Sequence, residues 1–256
     1  MRLLLSNDYF IDYQLIAGDT AKPCLVFLHE GLGCSKMWKR FPELLCEATG
    51  CSGLLYDRLG YGQSSALLKP RTIHYLHEYA LEELPRVLNA LIPQQRYIII
   101  GHSDGASIAL IHAAEQPLLL QAIITQAAHV FVEPQTLEGV KVADQAWDAG
   151  KLQGLIKYHG EKTAQIFKAW STTWQQPWFE FWNIEYLLPS IQVPVLAIQG
   201  KDDQYGSDFQ VASIVDKVTF GEAQLIENCA HNPHFEAPAE VLKSMKRFIS
   251  GFCPSH

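Results

Sequence analysis

The hydrophobic positions of this chain fall into short unbroken runs, separated by longer stretches in which apolar residues return every three or four positions. Unbroken runs are typical of strands buried on both faces, and the longer stretches are typical of helices with one apolar side. Their alternation predicts an α/β fold with a mostly parallel central sheet and helices on both faces. The predicted parallel strands are 25–28, 53–56, 97–100, 122–125, 195–198 and 223–226, and the helical patterns include 38–48, 75–91, 103–115 and 239–249.

Two parts of the chain depart from this alternation. Residues 2–5 and 9–15 predict an antiparallel hairpin at one edge of the sheet, with Ser6-Asn7-Asp8 as its turn. From 130 to 188 helical patterns follow one another without a strand, and a structureless loop of that length is implausible inside a compact domain. We therefore predict a helical insertion at 130–188 between two parts of one core domain, 1–129 and 189–256.

Tryptophan marks the insertion as distinct in composition. Five of the six tryptophans lie within it, and four of these recur every fourth position from Trp170 to Trp182. Pro177 lies inside that series and predicts the start of a new helix. We expect most of these rings to pack the insertion against the core, and some to line a substrate pocket. The candidate pocket residues are Trp38, Trp170, Trp174 and Trp178.

Composition and charge narrow the possible classes of function. The 256 residues are 48% hydrophobic and 18% charged, with a net charge of −7. This is typical of a globular protein and provides no basic patch for nucleic acid or an anionic membrane. Six scattered cysteines lack the spacing of a zinc site and predict reduced thiols. Because no secretory signal or membrane-spanning run of ~20 apolar residues is present, we expect a cytoplasmic protein.

Polar side chains follow the predicted strands where each strand ends. In chain order they are His29, Glu30, Asp57, Arg58, Ser103, Asp202, Asp203 and His231. Because the carboxyl ends of parallel strands meet at one edge of a sheet, we expect these side chains to lie close together. A serine, a histidine and a carboxylate at one edge are the set that nucleophilic acyl transfer requires.

The serine lies between two glycines, in the stretch GHSDG at 101–105. Glycines lack a Cβ, so the strand and the helix can approach closely while Ser103 takes a strained bend that exposes Oγ. A serine hydroxyl is a weak nucleophile, so His231 must accept its proton and an aspartate must orient the imidazole. Backbone N–H groups must then stabilise the oxyanion, and Gly31 and Asp104 are the candidate donors.

These motifs resemble those of the α/β-hydrolase superfamily, in its chain order serine, aspartate, histidine, over essentially the whole chain. The matching stretches are GHSDG at 101–105, GKDD at 200–203, AHNPHFEAP at 230–238, HEGLG at 29–33 and YDRLGYGQS at 56–64. The resemblance implies that HEGLG is the oxyanion loop and that the insertion is a helical cap over the pocket. It also favours Asp203 over Asp202 and His231 over His234. Position 30 departs from the family pattern, which has glycine there.

Three further polar residues have structural interpretations. We expect His102 to pack beside the bend with its side chain turned away from Ser103 Oγ, since neighbouring residues on a strand alternate sides. An acid at position 104 is explained by its place in the first turn of a helix. Glu30 is expected to pair with Arg58 as a clamp between two adjacent loops.

The sequence therefore predicts a serine hydrolase that cleaves a small or medium carboxylic ester or thioester through an acyl-serine intermediate. The predicted catalytic residues are Ser103, Asp203 and His231, with Gly31 and Asp104 as oxyanion donors. Tryptophan-lined walls favour acyl or aryl esters over sugars or phosphates. Two alternatives stay open: a ligand sensor that keeps these residues with little turnover, and a cofactor-free lyase or carbon-carbon bond hydrolase. No metal or cofactor is implied, and the expected partner is a small molecule, with no nucleic acid and no membrane.

Overall fold

In the computed structural model, which describes residues 1–5 and 9–253, eight strands form one sheet. The strands are β1 (Arg2–Leu4), β2 (Phe10–Ile16), β3 (Cys24–Leu28), β4 (Gly53–Tyr56), β5 (Tyr97–His102), β6 (Leu120–Gln126), β7 (Val195–Gly200) and β8 (Gly221–Ile226). Their order across the sheet is β1-β2-β4-β3-β5-β6-β7-β8.

Strands β3 to β8 run parallel, and they confirm the predicted strands, with wider bounds in all but β4. Strands β1 and β2 pair antiparallel at one edge, as predicted, and β2 is also antiparallel to β4. The predicted turn at Ser6-Asn7-Asp8 lies outside the described residues.

Successive residues of the central strands enter two separate hydrophobic cores. Val26 and Leu28 of β3 belong to one core, and Leu25 and Phe27 belong to the other. Side chains on a strand alternate between its two faces, so each face of the sheet has its own core. Burial on both faces explains why these strands are continuous apolar runs in the sequence.

Helices cover both faces of the sheet. They are α1 (Phe41–Thr49), α2 (Tyr75–Glu78), α3 (Leu84–Leu91), α4 (Asp104–Ala114), α5 (Pro134–Asp148), α6 (Ile156–His159), α7 (Thr163–Trp174), α8 (Asp208–Lys217), α9 (Pro233–Glu236) and α10 (Pro238–Ser250). Helix α4 is buried along its whole length against β3, β5 and β6. This explains its lack of a polar side.

The predicted helix 75–91 is interrupted. Helices α2 and α3 are separated by a wider π turn at Tyr79–Glu83, and Pro85 lies in the first turn of α3. Proline has no N–H to donate to the preceding turn, and its ring clashes with the carbonyl four residues earlier. The extra residue in the turn relieves that conflict, so we attribute the interruption to Pro85.

The chain between β6 and β7 forms what we call the helical segment, 134–190. It contains α5, α6 and α7 and three 3₁₀ turns, Gln153–Leu155, Gly160–Lys162 and Glu185–Ser190. The helix predicted to start at Pro177 is absent from this segment, because 175–181 form turns and a bend. The residue before a proline is disfavoured in the helical conformation, which agrees with this end to α7. The domain boundaries at 130 and 188 stay a prediction.

None of the helices formed by residues 1–5 and 9–253 combines the length and the apolar character needed to cross a bilayer.

Candidate active site

Ser103 occupies a strained bend between β5 and α4. Its backbone has φ 51° and ψ −118°, a conformation that a residue with a Cβ adopts at a cost of about 1–3 kcal/mol. A Cβ on Gly101 would lie 2.3 Å from the Gly105 carbonyl oxygen, and a Cβ on Gly105 would lie 2.1 Å from the Leu28 carbonyl oxygen. Both positions therefore need glycine for strand and helix to meet at this bend.

Asp203 and His231 lie together at the ends of β7 and β8. Nδ1 of His231 is 2.9 Å from each carboxylate oxygen of Asp203. A carboxylate can only accept, so Nδ1 carries the proton and Nε2 is free to act as a base. Burial raises the pKa of Asp203, but the charge and hydrogen bond of His231 outweigh burial and lower that pKa below its ordinary value. Asp202, the alternative, is exposed.

A side chain beyond His231 holds its loop in place. The carboxylate of Glu236 accepts the backbone N–H of Ala230 at 2.6 Å and that of Asn232 at 2.9 Å. His234, the other candidate base, is buried and its Nδ1 lies 3.1 Å from Oε1 of Gln126. The loop geometry therefore presents His231 to the site and leaves His234 in the core.

One cavity brings these groups together. Its volume is about 450 Å³, which includes the open space at its mouth. Its core wall consists of Glu30, Gly31, Leu32, Ser103, Asp104, His129, Tyr205 and His231, and the helical segment contributes Thr136, Val140, Trp170 and Trp174. Ser103 and His231 thus line the same cavity, and Asp203, which is not in its wall, contacts His231. In the described part of the chain, no hydrogen bond joins Oγ of Ser103 to the imidazole of His231.

Two backbone amides of the cavity wall are free to donate. Within the described residues, neither the N–H of Gly31 nor that of Asp104 donates a hydrogen bond to protein. The N–H of Asp104 is one of the donors that the first turn of a helix leaves without a helical partner. Gly31 and Asp104 both line the cavity that contains Ser103.

The peptide that carries the Gly31 N–H is fixed from its other side. Its carbonyl belongs to Glu30 and accepts Nδ1–H of His29 at 2.8 Å and a guanidinium N–H of Arg58 at 3.0 Å. Burial and the charge of Arg58 lower the pKa of His29 well below its ordinary value, so the ring is neutral. Donors on the carbonyl orient the amide and increase the polarity of its N–H.

The expected ion pair between Glu30 and Arg58 does not form, and this prediction is corrected. Arg58 is buried and donates to the backbone carbonyls of His29 and Glu30. The carboxylate of Glu30 instead lies 3.5 Å from Nδ1 of His102. The two loops are clamped as expected, but through carbonyl groups, because the guanidinium lies behind the loop and the carboxylate lies on the other side.

The four candidate pocket tryptophans separate into two pairs. Trp170 and Trp174 line the cavity, and a Cβ on Gly31 would lie 2.6 Å from Nε1 of Trp170. Trp38 instead ends a 3₁₀ turn, Ser35–Trp38, and packs in the core against His234, with 4.5 Å between the ring centroids. Trp178 lies in the turn after α7 with 41% of its surface exposed. The substrate-binding prediction is therefore corrected for Trp38 and Trp178.

Two aromatic cavity residues whose rings lie near that of His231 were missed from the sequence. His129 follows the end of β6 and its Nε2 donates to the Tyr205 carbonyl at 3.1 Å, while the Tyr205 ring lies 4.7 Å from that of His231. Burial and the charge of His231 lower the pKa of His129, which keeps this ring neutral. His129 follows the fourth predicted strand, 122–125, so the expectation that polar residues after strand ends gather at one edge also points to it. Tyr205 has no comparable signal beyond its closeness to Asp203.

The charged side chains in the cavity wall are carboxylates, Glu30 and Asp104, and the described residues of the wall include no lysine or arginine. Asp104 accepts the hydroxyl of Tyr75 at 2.9 Å through one oxygen. In the described part of the chain, no group of three or more His, Cys, Asp or Glu side chains is arranged to hold a metal ion.

Comparison with known proteins gives a consistent family. The model of the alpha/beta hydrolase family matches residues 25–244. A proline iminopeptidase from Lactobacillus crispatus (strain ST1) is 22% identical over 276 residues, which cover 93% of each chain. The solved proline iminopeptidase of Mycobacterium smegmatis has a TM-score of 0.77 at 19% identity over 98% of both chains. The esterase RhEst1 from Rhodococcus sp. ECU1013 has a TM-score of 0.72 at 19% identity over 98% of both chains. These structural similarities show the fold.

Proposed function

This chain belongs to the alpha/beta hydrolase family, and from that premise we propose that it is a serine hydrolase cleaving a carboxylic acid derivative through an acyl-Ser103 intermediate. The observation that carries the proposal is the cavity itself. It combines the strained Ser103, the Asp203–His231 pair and two free backbone amides. Each has a separate role in acyl transfer.

The proposed mechanism assigns one step to each group. Oγ of Ser103 attacks the carbonyl carbon, and Nε2 of His231 takes the hydroxyl proton while Asp203 accepts Nδ1–H. The N–H groups of Gly31 and Asp104 stabilise the oxyanion. Collapse of the tetrahedral intermediate breaks the bond to the leaving group, which takes the proton from His231. Water, activated by the same imidazole, then hydrolyses the acyl-serine.

The substrate class proposed is a small or medium acyl compound without negative charge. The cavity is small and mostly apolar, and its carboxylates would repel an anion. Esters and thioesters fit this description, and so does an amide, because relatives named proline iminopeptidase support amide cleavage as strongly as a neighbour named esterase supports ester cleavage.

The test is a substrate panel in which Ser103→Ala serves as the blank. The panel contains p-nitrophenyl esters of increasing acyl length, matching thioesters and the p-nitroanilide of proline. We expect multiple turnovers of at least one substrate by the native protein, and a fall in kcat of about 10³-fold or more in Ser103→Ala. Circular dichroism of both proteins checks that the variant is folded.

Other outcomes identify the alternatives. A single equivalent of product without further turnover would identify a sensor that is acylated once, and activity that survives in Ser103→Ala would identify a lyase using His231. Either result overturns the proposed hydrolase.

A further inference from the structure

Glu30 and His102 are neighbours to which the mechanism above gives no role. Glu30 directly precedes Gly31, and His102 directly precedes Ser103. The pair therefore lies beside both the candidate oxyanion donor and the candidate nucleophile. His102 is 1% exposed, and Glu30 is one of the residues that line the cavity.

The ring of His102 lies between two acceptors. Its Nε2 is 2.7 Å from the backbone carbonyl oxygen of His231. A carbonyl can only accept, so Nε2 carries a proton. Its Nδ1 is 3.5 Å from Oε2 of Glu30, which is too long for a short hydrogen bond. The ring therefore bridges the backbone of the His231 loop and the carboxylate of the residue that precedes Gly31.

Among the described residues, the surroundings of His102 provide no competing anion in contact. The groups facing it are the Glu30 carboxylate, the imidazoles of His231 and His234 at 5.2 and 5.0 Å between ring centroids, and the ring of Trp38. Burial lowers the pKa of His234 well below its ordinary value, so that ring is neutral. Burial raises the pKa of Glu30, but its interaction with the neighbouring His102 outweighs burial and lowers the pKa to about 2.

We propose that Glu30 and His102 form a positioning pair that ties the oxyanion loop, the nucleophile bend and the His231 loop together. The inference rests on the proposed function, because the three tied elements are the ones that the acyl-transfer mechanism uses. The pair accounts for glutamate at position 30, where the resembling family has glycine. The pair does not touch the reacting atoms. It acts through the positions of Gly31, Ser103 and His231.

Changing either partner should therefore slow the chemical step more than it weakens substrate binding. Displacing a catalytic group by about 1 Å costs up to about 100-fold in rate. Glu30→Gln keeps the shape of the side chain and removes the carboxylate. His102→Gln keeps an N–H donor for the His231 carbonyl and removes the ring nitrogen that faces Glu30.

The kinetic test compares Glu30→Gln, His102→Gln and the double variant, with Glu138→Gln on the exposed side of α5 as the matched control. We expect each single variant to lower kcat about tenfold with KM within about twofold, and the double variant to be no slower than the slower single one. The control should leave both constants unchanged. Additive losses, or a change confined to KM, would overturn the pairing.

A second readout does not depend on turnover. In ¹⁵N-histidine-labelled protein, the ring of His102 is identified by the signals that disappear in His102→Gln. Its nitrogen chemical shifts should change in Glu30→Gln and stay the same in Glu138→Gln. A His102 ring unaffected by Glu30→Gln overturns the proposal even if the kinetics agree. Failure of the proposed function is separate, because it appears as native activity that is absent or insensitive to Ser103→Ala.

Discussion

Two buried charges behind the oxyanion loop show how single side chains set the properties of this protein. Arg58 is fully buried and binds backbone carbonyls. Glu83 accepts the N–H of Leu59 at 2.9 Å through Oε2, while its Oε1 has no hydrogen-bond partner within the described residues. Burial raises the pKa of Glu83 to about 7, against the opposing effects of the Leu59 N–H and the charge of Arg58. The native state therefore favours a protonated Glu83 in mildly acid solution.

Substitution of Glu83 by glutamine should remove a pH dependence of stability. Because the pKa of Glu83 is higher in the native state than in the unfolded chain, protonation of this side chain stabilises the native protein. The stabilisation is fully present below the unfolded pKa of 4.5 and is lost as the pH rises through about 7. The shift corresponds to about 3 kcal/mol. Urea unfolding should show native protein losing up to that amount relative to Glu83→Gln between about pH 5 and 8. Glu82→Gln, a change at the exposed neighbouring residue, serves as the control. If the free energy of unfolding depends on pH in the same way in native and Glu83→Gln protein, the raised pKa of Glu83 is refuted.

The strands and helices meet at the site through close backbone contacts. A Cβ on Gly200, at the end of β7, would lie 2.1 Å from the Cys229 carbonyl oxygen, just as one on Gly105 would collide with β3. These contacts bring the strand ends and the loops after them within reach of one another. Backbone atoms cannot rotate away like a side-chain end, so a methyl group at either position forces the elements apart.

Replacing Gly105 by alanine should therefore destabilise the protein far more than the same substitution at a glycine in open space. We expect Gly105→Ala to lower the free energy of unfolding by about 3 kcal/mol. This corresponds to a fall in melting temperature of about 10 °C in circular dichroism. A methyl group on Gly154 would meet no atom within 4 Å, and the φ of Gly154 is outside the left-handed region, so Gly154→Ala should change stability by less than about 0.5 kcal/mol. Equal effects of the two substitutions would contradict this account of the bend.

Features set by residues that are close together in the sequence could be predicted, whereas contacts between remote residues could not. The parallel strands follow from local apolar runs, and the position of Ser103 follows from its two glycines and the strand before them. The partner of Glu30 could not be predicted, because it depends on which side of the oxyanion loop faces β5. Trp38 and Trp178 show the same limit. The sequence makes both of them candidates for the pocket, but ring direction is decided by turns that periodicity does not encode.

The cavity belongs to the whole molecule, since its two walls come from remote parts of the chain. The helical segment is joined to the core by hydrogen bonds on both sides of the cavity. Nε1 of Trp174 donates to the hydroxyl of Tyr75, which in turn donates to Asp104. Nε2 of His159 donates to the carbonyl of Leu32, next to Gly31. The position of the segment therefore fixes both the size of the cavity and the surroundings of the candidate oxyanion site.

Acyl-length preference should consequently depend on Trp170 and not on Trp178. Trp170 is 8% exposed and lies against Gly31 in the cavity, whereas Trp178 is outside it. In the proposed hydrolase, Trp170→Ala should lower kcat/KM for the shortest ester about tenfold and move the preferred acyl chain to a longer one. Trp178→Ala should keep the native profile within about twofold. If both variants keep that profile, the ring of Trp170 does not bound the acyl site. Trp170→Phe makes the same comparison with a smaller loss of packing, so a change in length preference can be separated from partial unfolding.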